Sequence, residues 1–157
     1  MPHLRFEASA FLASKLDWPS LTRQLHHDFA AEGWAALHEL KSRVMVCSHD
    51  LAGDAPDAEQ LVLTLITTNP RPESMRRAMT ARALEHLERA VVATGPRHWV
   101  QCCVFMHTFD KGDYAKRQLN PPRTVPGAVP QSDPASPDTR PDTDPDTHQQ
   151  TPLRSDP

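Results

Sequence analysis

The chain has 157 residues, 20 acidic and 17 basic side chains, and a formal net charge of −3, so bulk charge offers nothing to nucleic acid or to an anionic membrane. No apolar run is long enough to span a bilayer, and the first residues lack the charged and apolar regions of a secretory signal. Three cysteines without C-x-x-C spacing read as reduced thiols of a cytoplasmic protein.

The composition divides the chain near Asn120. Ten of the sixteen prolines fall in residues 121–157, together with six aspartates, three arginines and Pro-Asp-Thr repeated from Pro137, Pro141 and Pro145. Such a segment cannot bury enough apolar surface to offset its chain entropy. The expectation is a folded domain over residues 1–120 and a disordered Pro/Asp/Thr-rich tail over 121–157.

Within residues 1–120, the elements follow one another in a repeated order. Residues 3–9 alternate, with Leu4, Phe6 and Ala8 on one side and His3, Arg5, Glu7 and Ser9 on the other, which is the period of a strand. Asp17-Trp18-Pro19 starts a helix, whose stripe is Leu21, Leu25 and Phe29 and whose stop is Gly33. Leu40 to Ser48 reads as a second strand. Leu61 to Thr67 is almost continuously apolar, as in a strand buried on both faces. Asn69-Pro70-Arg71-Pro72 breaks it, and Glu73 to Thr94 follows as a helix with Met75, Met79, Leu84, Leu87 and Val91 turned inward. Gly95-Pro96 ends that helix, and Trp99 to Met106 is a fourth strand.

The fold expected is therefore α+β: two β-α-β units forming one four-stranded sheet. Right-handed crossovers place both helices on the same face. The opposite face is left bare, and the apolar run at Leu61–Ile66 calls for other subunits to cover it. A compact monomeric α+β sandwich fits the same periodicities.

The chain opens Met1-Pro2-His3. A small second residue permits removal of Met1, leaving Pro2 with a free secondary amine on a rigid ring. Such an amine serves as general base and then general acid when its pKa lies near the working pH. Taken alone, proline is an ordinary penultimate residue. No H-E-x-x-H or Cys/His set suggests a metal, and no nucleotide loop or G-x-S-x-G is present. Neither a metal nor a cofactor is expected.

Met1-Pro2-His3, Glu7 and Ser9 in the first strand, Ser42-Arg43-Val44 opening the second and Arg71 before the second helix occur in an order that resembles the tautomerase superfamily. Within it, the resemblance is to the 5-carboxymethyl-2-hydroxymuconate isomerases. It covers roughly residues 1–120. It implies a cofactor-free homotrimeric isomerase of small unsaturated carboxylic acids, acting in breakdown of homoprotocatechuate, with Pro2 moving the proton. It also implies cationic clamps for a tricarboxylate. Arg71 sits where a helix N-terminus favours anions, and Arg43 offers a bidentate fork. Lys41 departs from the arginine that family members often carry, keeping the charge and losing the fork. A tautomerase acting on a smaller dienol acid, or a non-catalytic trimeric interaction module, accounts for the same features. Arg43 and Arg71 are otherwise surface charges, and His3 reads as a structural strand residue.

Overall fold

The computed structural model describes residues 2–119; Met1, whose removal is expected, and the expected tail at 121–157 lie outside them. Seven elements run in the order β1 (His3–Ser9), α1 (Ala10–Lys15), α2 (Trp18–Ala31), β2 (Lys41–Cys47), β3 (Glu59–Thr67), α3 (Glu73–Ala93) and β4 (Val100–Thr108), with short 3-10 turns at Leu37–Glu39 and Lys111–Asp113. The strands form one sheet in the order β2-β1-β3-β4. β1 runs parallel to β2, antiparallel to β3, and β3 parallel to β4. This is the α+β arrangement expected, with two β-α-β units joined through the β1–β3 pair.

The core follows from strand alternation. Leu4, Phe6 and Ala8 face the helices in register with Leu65, Leu63 and Leu61, and all six are 0–1% exposed. Leu21, Leu25 and Phe29 of α2 and Met79, Leu87 and Val91 of α3 complete the layer. Burying one such side chain contributes about 1.5–3 kcal/mol. The start of α2 is fixed locally. Asp17 accepts from the Ser20 amide at 3.1 Å, satisfying a first-turn donor, and Pro19 occupies the first turn. Gly33 adopts φ 70° just beyond the helix, a left-handed conformation that glycine reaches without steric cost.

Three details differ from the sequence pattern. Within the single chain β3 is buried on one face only: Leu61, Leu63, Leu65 and Thr67 are buried, while Gln60, Val62, Thr64 and Ile66 on the other face, where cover by other subunits is expected, are half-buried. On α3 the inward position belongs to Ala83 rather than Leu84, because four residues after Met79 the helix returns to the same face and five residues overshoot it. The short α1 had no counterpart in the pattern; its only buried residue is Leu12.

Two polar pins hold the helices. His26 Nε2 lies 2.7 Å from Ser42 Oγ, joining α2 to β2. Between α2 and α3, the buried His86 places Nε2 2.9 Å from Asp28 Oδ2 and Nδ1 3.0 Å from Arg89. Arginine only donates, so Nδ1 accepts and the Nε2–H donates to Asp28. Among the described residues no helix lies on the far sheet face; Met45 and Phe105 there are 50% and 59% exposed. No helix among the described residues is long and apolar enough to cross a membrane.

Candidate active site

The topology gathers the expected residues at one end of the sheet. Because β1 and β2 are parallel and β3 is antiparallel to β1, the starts of β1 and β2 lie beside the ends of β3 and β4. Pro2 immediately precedes β1 and is fully buried. Its carbonyl accepts from the Lys41 amide at 3.3 Å, which fixes it against the first residue of β2. Arg71 follows the end of β3 and directly precedes Pro72, the N-cap residue of α3, which supplies no side-chain cap.

The side chains are less uniformly arranged. Arg71 Nη2 donates to the Trp34 carbonyl at 2.7 Å, and Nη1 lies 3.2 Å from Met75 Sδ. Its Nε is buried without a hydrogen-bond partner among the described residues. Burial lowers the Arg71 pKa and Glu39 opposes that change. A guanidinium with one buried donor unmet has capacity left for an acceptor. Lys41 turns its ammonium back on the preceding turn, 2.6 Å from the His38 carbonyl and 3.4 Å from that of Leu40. Arg43 lies on the bare face, opposite Arg5 in register, and its Nη2 is 3.4 Å from His3 Nδ1.

Thus the structure ties Pro2 to Lys41 through the backbone and Arg43 to His3 through side chains. Arg71 makes its contacts with Trp34 and Met75 instead. Sequence reasoning missed the His3–Arg43 pair. The signal for it was the alternation itself, since a parallel β1–β2 pairing puts residues 3, 41 and 43 on one face.

No family model matches the chain, and no curated protein matches it. Solved structures do. A 5-carboxymethyl-2-hydroxymuconate isomerase from Deinococcus radiodurans R1 superposes with a TM-score of 0.66 at 16% identity, covering 75% of this chain and 90% of that one. A 5-carboxymethyl-2-hydroxymuconate delta-isomerase gives 0.63 at 16% identity, over 75% and 89% of the two chains. A fused 4-OT asymmetric trimer gives 0.53 at 13% identity, over 73% and 91%. The fold is the tautomerase fold.

Two concavities of this tautomerase-like unit lie away from Pro2. One, about 460 Å³, lies between α2 and α3 and is lined by Asp28, Arg82, His86 and Arg89 among others. The other, about 310 Å³, sits at the opposite end of the sheet, where Ser9 donates a hydrogen bond to Asp50 and Cys47, Glu59 and His98 complete the wall. Burial raises the Glu59 pKa. Neither concavity is lined by Pro2, Lys41, Arg43 or Arg71. Among the described residues no group of three or more His, Cys, Asp or Glu is placed to hold a metal ion.

Proposed function

We propose that the protein is a cofactor-free tautomerase that moves a proton within an unsaturated 2-hydroxy or 2-oxo acid, with 5-carboxymethyl-2-hydroxymuconate as substrate, in cytoplasmic catabolism of homoprotocatechuate. The observation that carries this reading is the placement of Pro2. In a tautomerase fold it stands buried at the start of a central strand, at the sheet end shared by Lys41 and Arg71.

The chemistry follows from an amine in that position. With Met1 removed, neutral Pro2 takes the proton from the enol hydroxyl. The electron pair of that O–H bond becomes the new carbonyl, the diene shifts, and the far carbon takes a proton back from the Pro2 ammonium. Atoms and charge balance with no external reagent. A free α-amino group titrates at about 7.7–8.0, and burial and nearby cations disfavour its charged form, which keeps it competent as a base. Arg71 and Arg43 hold the substrate carboxylates, and Lys41 adds positive charge. The activity belongs to residues 1–120, and truncation after Arg123 leaves it in place. The 4-OT neighbour is a trimer, and a homotrimer of this chain would cover the bare sheet face.

A ketonisation assay on a panel of 2-hydroxydienoates tests the reading, run on the native chain and on a form with one residue added before Pro2. The native protein should isomerise dienols and the extended form should not. Equal rates in the two forms sink the assignment of Pro2, and a preference for short dienols redirects it to a smaller substrate. One observation favours a non-catalytic trimeric module instead: Lys41 is engaged by its own turn and Arg71 by Trp34. Inactivity of a correctly processed native chain across the panel would select that alternative.

A further inference from the structure

No step assigned to Pro2 uses the residue that follows it. His3 stands opposite Lys41 in the parallel register, on the bare face of the sheet, and Arg43 lies two residues further along β2. Arg43 reaches back to place Nη2 3.4 Å from His3 Nδ1. Because a guanidinium can only donate, the ring must accept at Nδ1, and its proton then resides on Nε2. The Tyr114 ring meets the imidazole edge-on, with centroids 6.5 Å apart and planes at 65°. Burial first, then the positive charges of Arg43, Lys41 and Lys116, lower the His3 pKa. Ile66, its register neighbour on β3, carries no charge. The ring is thus held as a neutral acceptor among cations.

A neutral acceptor beside an arginine has a directional effect. It engages one N–H of the fork and leaves the others facing outward in a fixed plane, the geometry that a carboxylate meets with two parallel hydrogen bonds. We propose that His3 is a positioning residue that aims the Arg43 guanidinium at a substrate carboxylate, and so sets a preference for dicarboxylates over monocarboxylates. This inference rests on the reading of Arg43 as a carboxylate clamp.

The test uses calorimetric titration of the full chain with two unreactive acids of the same carbon skeleton, trans,trans-muconate with two carboxylates and sorbate with one. Neither requires turnover. The native protein should bind muconate more tightly than sorbate. His3→Ala should weaken muconate binding about tenfold, the size of a coupling between directly contacting groups, with little change for sorbate. His3→Asn should restore it, because the Asn carbonyl oxygen occupies the place of Nδ1, whereas His3→Gln, whose oxygen falls nearer Nε2, should not. Arg43→Ala should lose the muconate preference, and adding His3→Ala to it should cost nothing more. In turnover of a tricarboxylate dienol, His3→Ala should raise KM and leave kcat nearly unchanged. Thermal midpoints matching the native chain identify variants whose fold is intact.

Native-like muconate binding by His3→Ala, failure of His3→Asn to rescue, or additive losses in the double variant would overturn the role of His3 while leaving Arg43 as a clamp. If Arg43→Ala binds muconate as the native chain does, or the native chain does not distinguish the two acids, both the clamp and this inference fall. The assignment of Pro2 is judged separately, by the extended form in the ketonisation assay.

Discussion

The two faces of the sheet are made by the same strands and obey different rules. On the helix side, Leu4, Phe6, Leu61, Leu63 and Leu65 are all 0% exposed, and any apolar group of the right volume would serve there. On the other side the same strands present His3, Arg5, Arg43 and Thr64 beside Phe105, a mixture that packing alone does not require. The covered face specifies the fold. The bare face, with the sheet end next to it, is where the proposed substrate recognition and assembly would be written.

Substitutions on the two faces should therefore separate stability from function. The largest effect belongs to the covered face. Phe6→Ala removes a fully buried ring that also meets Trp18 edge-on at 5.6 Å, and should cost about 3–5 kcal/mol, seen as a fall in the denaturation midpoint. A loss below about 1 kcal/mol would show that this core collapses around the gap. The next effect is on assembly. Phe105→Lys places a charge on the bare face at a residue 59% exposed. If the proposed homotrimer packs through this face, light scattering should then report monomers while far-UV circular dichroism stays unchanged, and a trimer that survives would place the interface elsewhere.

Removing one clamp is smaller in energy. If Arg71 and Arg43 are the carboxylate clamps proposed, Arg71→Ala and Arg43→Ala should each delete a charge-assisted bond worth about 1.5–3 kcal/mol, a loss of roughly ten- to a hundredfold in kcat/KM. Arg71→Ala also frees the Trp34 carbonyl, so its thermal midpoint should fall more than that of Arg43→Ala. Unchanged kinetics in both variants would return the two arginines to ordinary surface charges. Smallest of all is Lys41→Arg, which restores the planar fork and should preserve or modestly raise kcat/KM on the tricarboxylate. A large drop would mean that the ammonium on the His38 carbonyl supports the turn rather than the substrate.

Much of the fold was legible because its periodicities are strong. The alternation at residues 3–9 and the Leu21–Leu25–Phe29 stripe gave β1 and α2 directly, and Gly33 and Gly95 mark the helix ends with positive φ. What escaped had weak patterning. α1 is six residues long with one buried side chain, too short for a periodic signal. Ala83 and His86 face inward on α3, yet neither is apolar enough to outrank Leu84 by composition. The apolar run of β3 concealed an alternation between leucines and half-buried Val62 and Ile66. At the candidate site, order and resemblance pointed to Pro2, Lys41, Arg43 and Arg71. The direction of each side chain depends on strand register and on distant carbonyls such as that of Trp34, which no local pattern encodes.

The position of β1 has a consequence for how the molecule is made. The earliest of the described strands, β1, is an inner strand of the finished sheet, flanked by Lys41–Cys47 on one edge and Glu59–Thr67 on the other. Until both partners have emerged, its hydrogen-bonding edges are not both paired, and unpaired apolar strands invite wrong pairings. Closing these contacts over long stretches of chain slows the search for the native state. The growing polypeptide is therefore most vulnerable to aggregation until residues 59–67 have been synthesised and can pair with β1.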